Sequence, residues 1–236
     1  MDDDIKKNIA NLKPSATLAI NEKIKQLLKD GKKVFNFGFG QSPFPIPEKI
    51  VSVLRDNAHK KDYLPMQGLP ELREAISKYL LKRTGVDYKK ENIIITPGSK
   101  EAMLLMHVVF NGEIILPAPS WVSYEPQAEI AKNKVHWIET TSDNNWFPTA
   151  KQLEDKIKSI GKKNIILILN SPNNPSGSVC NNLNQIANIA KQNNIKILSD
   201  EIYTDLTFDK SYESISKFCP ENTFISGGLS KWCGAG

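Results

Sequence analysis

The chain has 236 residues, 40% of them hydrophobic and 24% charged, which is ordinary for a globular protein with a sizeable core. Its formal net charge of +5 is spread along the chain in basic pairs separated by acids, and this spread does not predict a clustered surface for nucleic acid. We find no signal segment, no membrane-length apolar run and no metal-type spacing of Cys180, Cys219 and Cys233, so we expect a cytoplasmic protein without membrane or nucleic-acid partners.

The first third of the chain predicts helices joined by rigid loops. A short strand is predicted at 33–37, and the loop after it contains Gly40, where the backbone can approach a ligand closely or simply turn. Tyr63 lies in an irregular connection, where packing is its simplest role. Gly85 can end the helix predicted over residues 70–83, because glycine favours the position just after a helix. Helical periodicity covers residues 14–30, 47–60 and 70–83.

From residue 92 onward, strands and helices alternate. Regular alternation of this kind predicts an α/β fold with a mostly parallel sheet flanked by helices and joined by right-handed crossovers. The strands are predicted at 93–96, 113–116, 135–139, 165–169, 195–198 and 223–226, and the helices at 101–110, 125–133, 149–160 and 183–192.

Three of these strands end in polar stretches that can meet in one crevice at the carboxyl edge of the sheet. The first is Asn170-Ser-Pro-Asn-Asn-Pro-Ser-Gly177, the second is Ser199-Asp-Glu-Ile-Tyr203, and the third ends in Lys231. Pyridoxal phosphate requires a lysine for a Schiff base, an acid for its pyridinium nitrogen and donors for its phenolate oxygen. Lys231 is therefore our candidate catalytic centre, with Asp200 and Asn174 as candidate partners.

Two further strand ends are open to more than one interpretation. The turn Pro97-Gly-Ser-Lys100 precedes a helix whose first N–H groups suit a phosphate, although capping by Ser99 is the simpler role. Trp121 follows a pair of prolines and can cover an aromatic ligand, although filling the core is simpler. A nicotinamide dehydrogenase is disfavoured, because Pro43 stands where the dinucleotide fingerprint needs its third glycine.

Taken together, the motifs resemble those of the class I aminotransferases, within the fold type I superfamily of pyridoxal-phosphate-dependent enzymes. The resemblance implies amino-group transfer between an L-amino acid and a 2-oxo acid. It implies a cofactor-binding large domain over residues 46–236 and a segment, 1–45, that normally belongs to the small domain. Four motifs occur in the order of the family: Tyr63-Leu-Pro-Met-Gln-Gly-Leu-Pro-Glu-Leu-Arg73, Ser171-Pro-Asn-Asn-Pro-Ser-Gly177, Ser199-Asp-Glu-Ile-Tyr203 and Ser230-Lys231.

The resemblance also implies a role for each candidate residue. Lys231 would bind pyridoxal 5'-phosphate as a Schiff base and would carry the proton to and from the substrate Cα. Asp200 would face the pyridine nitrogen, and Asn174 and Tyr203 would donate hydrogen bonds to the phenolate oxygen. The remaining implied roles are stacking for Trp121, phosphate contacts for Gly98, Ser99, Lys100, Ser230 and Tyr63 of a neighbouring subunit, and substrate contacts for Gly40, Trp121 and Asn174.

The sequence departs from the family pattern in two places. Gly228 stands where some members have a phosphate-binding serine, which leaves Ser230 as the substitute. The sequence stops at Gly236, before the family's phosphate-binding arginine and before the small domain with the arginine that holds the substrate carboxylate. We therefore expect a fragment of a homodimeric enzyme that binds the cofactor poorly. A C–S lyase with the same cofactor and a non-catalytic remnant that associates with a full-length partner are the alternatives.

Overall fold

The computed structural model of the chain describes residues 4–10, 12, 16–37, 40–161, 163–208 and 212–235. The predicted start of the first helix at residue 14 therefore lies outside the described residues, as does Gly236. Over the described ranges, no helix has the length and the apolar character needed to cross a membrane.

A five-stranded sheet with the spatial order β2-β1-β3-β4-β5 forms the centre of the molecule, and every neighbouring pair is parallel. The chain moves outward from β1 to β2 and then returns to the other side of β1, so the order switches between β1 and β3. Parallel sheets bind ligands at the carboxyl ends of strands that flank such a switch. The strands are β1 (Glu113–Ala118), β2 (Val135–Glu139), β3 (Ile165–Asn170), β4 (Lys196–Asp200) and β5 (Thr223–Ser226).

Helices cover both faces of this sheet, which confirms the predicted α/β class. One face contributes Ile115, Leu167 and Ile197 to a core that includes side chains of α7 (Ala150–Ile160) and α8 (Leu183–Gln192). The other contributes Ile114 and Ile166 to a second core with side chains of α5 (Ser99–Val109) and α6 (Tyr124–Ile130). The helices of the described residues are α1 (Lys7–Ala10), α2 (Ala16–Lys29), α3 (Glu48–Asn57), α4 (Pro70–Thr84), α5 (Ser99–Val109), α6 (Tyr124–Ile130), α7 (Ala150–Ile160) and α8 (Leu183–Gln192).

The predicted helix ends are confirmed where a capping residue marks them. Thr149 caps α7 and forms a reciprocal capping box with Gln152. Helix α4 begins at Pro70 and is followed by Gly85, whose φ of +74° belongs to the left-handed region that favours glycine.

Two predicted strands are wrong. Residues 33–37 and 93–96 form neither helix nor strand. A β-prone run becomes a strand only when a neighbouring strand bonds to its backbone. The first run instead leaves Phe35 and Phe37 74% and 93% exposed. In the second, the N–H of Ile95 donates to the carbonyl oxygen of Gln67, in the loop before α4.

Candidate active site

The predicted polar strand ends meet at the carboxyl edge of the sheet. Asn170, Asp200 and Ser226 are register partners at the ends of β3, β4 and β5. Asn170 also ties two of these ends together, because its Nδ2 donates to the carbonyl oxygen of Asp200 at 2.9 Å. The polar residues that end these strands therefore lie together at the carboxyl edge of the sheet, as the sequence predicts.

Asp200 is the most buried charged side chain of this edge, with 3% of the residue exposed. The hydroxyl of Tyr124 donates to Oδ2 of Asp200 at 2.6 Å, and the N–H of Ile202 donates to Oδ1 at 3.2 Å. Tyr124 is the first residue of α6 and is itself buried. Both bonds hold the carboxylate in a fixed orientation.

Burial raises the pKa of Asp200 to about 6. The hydrogen bonds from Tyr124 and from the Ile202 N–H and the positive charge of Lys231 all act in the opposite direction, but they do not cancel the effect of burial. The raised pKa means that the chain alone does not fully compensate the ionised carboxylate. A cationic group bound beside Asp200 would supply that compensation.

Lys231 follows β5 by five residues, in a turn at the same edge of the sheet. Its Nζ donates to the carbonyl oxygen of Gly40 at 3.4 Å and lies 5.8 Å from the centroid of the Tyr203 ring. The structure thus brings Gly40, Tyr203 and Asp200 around one amine. The contact with Gly40 connects the N-terminal segment to the candidate catalytic lysine.

Asn174 and Tyr203 meet as a pair of hydrogen-bond donors. Nδ2 of Asn174 lies 3.2 Å from the hydroxyl oxygen of Tyr203, and the backbone N–H of Asn174 donates to Oδ1 of Asn170 at 2.7 Å. Burial raises the pKa of the Tyr203 hydroxyl, which therefore keeps its proton at neutral pH. Both side chains can donate to one oxygen of a ligand.

The beginning of α5 forms a seat for an anion. Gly98 precedes this helix with φ of +88°, a conformation that favours glycine, and its carbonyl oxygen accepts from the hydroxyl of Thr96 at 2.9 Å. Capping by Ser99 is wrong, because Gly98 occupies the cap position and Ser99 is the first helical residue. The N–H groups of Ser99 and Lys100 belong to the first turn, where N–H groups have no partner within the helix.

Trp121 borders this seat and also packs against the core. Nζ of Lys100 lies 5.1 Å from the centroid of the Trp121 ring, and the rings of Trp121 and Tyr124 pack in a T-shaped arrangement with a centroid distance of 5.3 Å. Trp121 therefore fills space beside α6, as the simpler role requires, and its role in covering an aromatic ligand stays a prediction. The assembled edge can hold a flat aromatic ligand that carries an anionic arm.

Comparison with known proteins identifies the family. The family model described as aminotransferase class I and II matches residues 32–235. The chain belongs to this aminotransferase family. Curated relatives include the aspartate aminotransferases of Bacillus sp. (strain YM-2), 36% identical over 94% of this chain and 59% of the relative, and of Geobacillus stearothermophilus, 35% identical over 95% and 59%. The chain thus spans 59% of the length of these relatives.

Solved aminotransferase structures share the fold. The aspartate aminotransferase of Thermus thermophilus with maleate superimposes with a TM-score of 0.88 at 29% identity, over 97% of this chain and 63% of that chain. The aspartate aminotransferase of Thermotoga maritima gives 0.87 at 30% identity, over 98% and 63%. The parallel sheet with its flanking helices is therefore the aminotransferase large-domain fold.

The structure shows the surroundings of three positions of the aminotransferase pattern, and among these only the packing role considered for Tyr63 is wrong. Tyr63 is fully exposed, so packing within the chain does not explain it, and Met66 in the same loop is 99% exposed. Ser230 is partly buried beside Lys231. A Cβ at Gly228 would lie 3.2 Å from Cδ1 of Ile202, so a serine at that position would press on a neighbouring side chain.

The sequence prediction missed Tyr124 and Asn170. Tyr124 stands three residues after Trp121, and this spacing of two aromatic side chains at a helix start is the signal that could have found it. Asn170 ends an apolar strand whose neighbour ends in Asp200, but only the register between β3 and β4 shows that the two touch. Within the described ranges, no group of three or more histidine, cysteine, aspartate or glutamate side chains is placed to hold a metal ion.

Proposed function

We propose that this chain binds pyridoxal 5'-phosphate at the carboxyl edge of the sheet and transfers an amino group between an L-amino acid and a 2-oxo acid. The observation that carries this proposal is the buried carboxylate of Asp200, whose pKa is raised and which shares its edge with the amine of Lys231. A protonated pyridine nitrogen is a cation of the kind that this carboxylate lacks.

The other residues of the edge fit the remaining parts of the cofactor. Asn174 and Tyr203 supply two donors for the phenolate oxygen, and the indole of Trp121 supplies a face for the ring. The first turn of α5, with Ser99 and Lys100, supplies backbone N–H groups for the phosphate.

The bound cofactor supplies an electron sink that stabilises negative charge at the substrate Cα. In its uncharged form, the Lys231 amine would be the base that takes the proton from the substrate Cα, and the ammonium group so formed would be the acid that gives the proton back. The Asp200 carboxylate would hold a proton on the pyridine nitrogen of a bound cofactor, and Tyr124 keeps this carboxylate oriented. Tyr203 and Asn174 keep the ring in place beside the lysine.

The active form is a cytoplasmic homodimer in this proposal, with Tyr63 reaching the phosphate of the neighbouring subunit. The full exposure of Tyr63 and Met66 supports such a contact, because an apolar loop of this kind gains by being covered. The free and buried cysteines Cys180, Cys219 and Cys233 fit a reducing compartment. The predicted boundary between a small-domain segment, residues 1–45, and the large domain, residues 46–236, also stays a prediction.

The test is amino transfer by the purified chain with added pyridoxal phosphate. Aspartate is the first donor to try, because the relatives are named aspartate aminotransferases, with a 2-oxo acid as acceptor. With pyridoxal phosphate in excess, to offset the poor cofactor binding expected of a fragment, we expect weak transfer by the wild type and none by Lys231→Ala. Lys163→Ala, which changes a lysine at the opposite edge of the sheet, should keep the wild-type rate. Equal transfer by Lys231→Ala would overturn the role given to Lys231.

One further outcome separates transfer from elimination. If, with no 2-oxo acid acceptor present, the chain releases a thiol, ammonia and more than one 2-oxo acid per cofactor from a cysteine-type donor, it catalyses C–S bond cleavage. That result would contradict amino transfer as the main reaction while it left the cofactor site intact. A chain that never takes up the cofactor would contradict the whole proposal and favour a non-catalytic role.

A further inference from the structure

Helix α4 holds the turn that carries Tyr203 through side chains that the proposed reaction does not use. Tyr203 directly precedes a 3₁₀ turn, Thr204–Leu206. The N–H of Thr204 donates to the carbonyl oxygen of Glu201, and the N–H of Leu206 donates to that of Tyr203. A 3₁₀ turn of this length has weak hydrogen-bond geometry of its own, so its position depends on the side chains that hold it.

Arg83, in the last turn of α4, holds the far end of this turn. Its Nη1 donates to Oδ1 of Asp205 at 2.6 Å and to the hydroxyl oxygen of Tyr79 at 2.8 Å. The Tyr79 hydroxyl in turn donates to Oδ2 of Asp205 at 3.1 Å. The Arg83 side chain is 20% exposed and that of Asp205 is 32% exposed, so water screens this pair less than it screens an open surface pair.

Arg83 also contacts a second tyrosine, Tyr212, which is bonded to the beginning of the segment at Glu201. Its guanidinium carbon lies 5.3 Å from the ring centroid of Tyr212 and 5.7 Å from that of Tyr79. Tyr212 is hydrogen bonded to the buried carboxylate of Glu201, which also accepts from Oγ of Ser214 at 2.6 Å. The segment from Glu201 to Asp205 is therefore held at both ends, with Tyr203 between them.

We propose that Arg83 is a positioning residue that fixes Tyr203 through Asp205 and Tyr79. The inference rests on the proposed function, because it concerns the hydroxyl that faces the cofactor. Tyr203 and Asn174 meet at 3.2 Å, and a displacement of about 1 Å would break that contact; errors of this size in a site can cost about 100-fold in rate. Arg83 thus acts on the cofactor only by way of Tyr203.

The first test measures the turn in the chain without cofactor. By hydrogen exchange, we expect Arg83→Gln to raise the exchange rate at the amides of Thr204 and Leu206 by about tenfold, while amides of β2 stay unchanged. Arg83→Lys keeps the charge but loses the planar fork, so it should restore the protection in part. Arg55→Gln, which removes an ion pair whose side chains are 71% and 77% exposed, is the matched control and should change neither region.

Two results of this test would overturn the inference. Unchanged exchange at Thr204 and Leu206 in Arg83→Gln would show that the arginine does not hold the turn. An equal rise in β2 would show that the substitution weakens the whole fold rather than the turn. Asp205→Asn removes the charge of the other partner at a side chain that is less buried than Arg83, and it should reproduce the local effect if Arg83→Gln fails to fold.

The second test measures the dissociation constant for pyridoxal phosphate. Arg83→Gln and Tyr203→Phe should each weaken binding about fivefold, which corresponds to one hydrogen bond. In the Tyr203→Phe background, Arg83→Gln should change affinity by less than about twofold, because Tyr203 no longer has a hydroxyl to place. Equal effects in both backgrounds would contradict action through Tyr203.

The two tests keep this inference separate from the proposed function. A wild-type chain that takes no pyridoxal phosphate contradicts the proposed function, and hydrogen exchange then still decides whether Arg83 holds the turn. A wild-type chain that binds at Lys231 but shows no effect of Arg83→Gln contradicts the inference alone.

Discussion

Two buried carboxylates lie at opposite edges of the same parallel sheet, and the chain treats them differently. Glu113 begins β1 and contacts Nζ of Lys163 and the Nε2 of His136. The hydrogen bond from Lys163 contributes most to lowering the pKa of Glu113. Asp200 ends β4 and contacts Tyr124 and one backbone N–H instead, and burial raises its pKa to about 6.

The difference separates a structural acid from an acid that is suited to a ligand. The negative charge of Glu113 is balanced by Lys163 of the same chain, so this carboxylate needs no bound cation. The contacts of Asp200 are neutral donors, and the charge of Lys231 does not outweigh burial. We infer that the carboxyl edge is suited to a positive group, whereas at the amino edge Lys163 already lies beside the Glu113 carboxylate.

The largest expected effect is on the reaction. Replacing Asp200 with Asn keeps the size of the side chain but removes the charge that would hold the ring proton, so we expect the rate of amino transfer to fall by about 100-fold or more. Rates at saturating pyridoxal phosphate measure this. Glu113→Gln is the matched control at the other edge and should stay within about twofold of the wild type. Similar losses in both variants would erase the functional distinction between the two acids.

The next effect concerns stability without cofactor. The ordinary pKa of the Asp200 carboxyl is 3.8 and its folded value is about 6, so the folded state binds this proton more tightly than the unfolded state. The protonated group therefore costs nothing below about pH 3.8, and its ionisation penalty grows until the pH passes about 6. Above that pH the penalty is complete.

Asp200→Asn removes this penalty. Between about pH 4.5 and about pH 7.5, the free energy of unfolding of Asp200→Asn relative to wild type should rise by about 2 kcal/mol. Denaturant unfolding of the two proteins at both pH values measures the change. A pH-independent difference would show that Asp200 has an ordinary pKa and is not left uncompensated.

Glu113→Gln should have the opposite sign. A lowered pKa means that Glu113 stabilises the fold above its ordinary value of 4.5 and loses this contribution as the pH falls through its folded pKa. At neutral pH we expect a loss of about 1 kcal/mol, a modest value because the Lys163 side chain is 52% exposed. Unfolding at low and high salt checks this, since added salt should reduce the loss. A stabilised Glu113→Gln protein would contradict the comparison.

The smallest effect belongs to Tyr124. Its hydroxyl is the contact that lowers the pKa of Asp200 most, so Tyr124→Phe should move that pKa further above about 6. The cost in unfolding free energy should be below about 1 kcal/mol at acidic pH, where Asp200 is protonated. The difference in unfolding free energy between Tyr124→Phe and the double variant with Asp200→Asn should grow with pH and level off once the pH passes the folded pKa of Asp200. A levelling pH no higher than that found with Tyr124 present would count against the hydrogen bond.

The strands of the sheet and the helices between them could be predicted because each of these apolar runs pairs with another apolar run in the sheet. Residues 113–116 and 165–169 are buried and residues 135–139 are mostly partly buried, with helices between these runs, and they form β1, β3 and β2. Residues 33–37 and 93–96 look the same in sequence. Whether a neighbouring strand bonds to them depends on contacts distant in the chain, and no local pattern contains that information.

The candidate site was predictable to the extent that its residues follow strand ends. Asp200, Asn174 and Lys231 were found in this way, because parallel strands bring their carboxyl ends to one edge. Tyr124 and Arg83 were not found, since each acts on a residue from another element: Tyr124 lies 76 positions from Asp200, and Arg83 lies 122 positions from Asp205. Such pairings appear only once the helices are placed on the sheet.

The central claim is that an aromatic aldehyde cofactor bonds to the amine at position 231, opposite an uncompensated carboxylate. The direct test is to incubate the 236-residue chain with pyridoxal phosphate, reduce it with borohydride and locate the label by peptide mapping. We expect the label on Lys231, and much less labelling at that position in Asp200→Asn at equal cofactor concentration. A label on Lys100 or Lys163 at equal or greater yield, or none at all, would contradict the account.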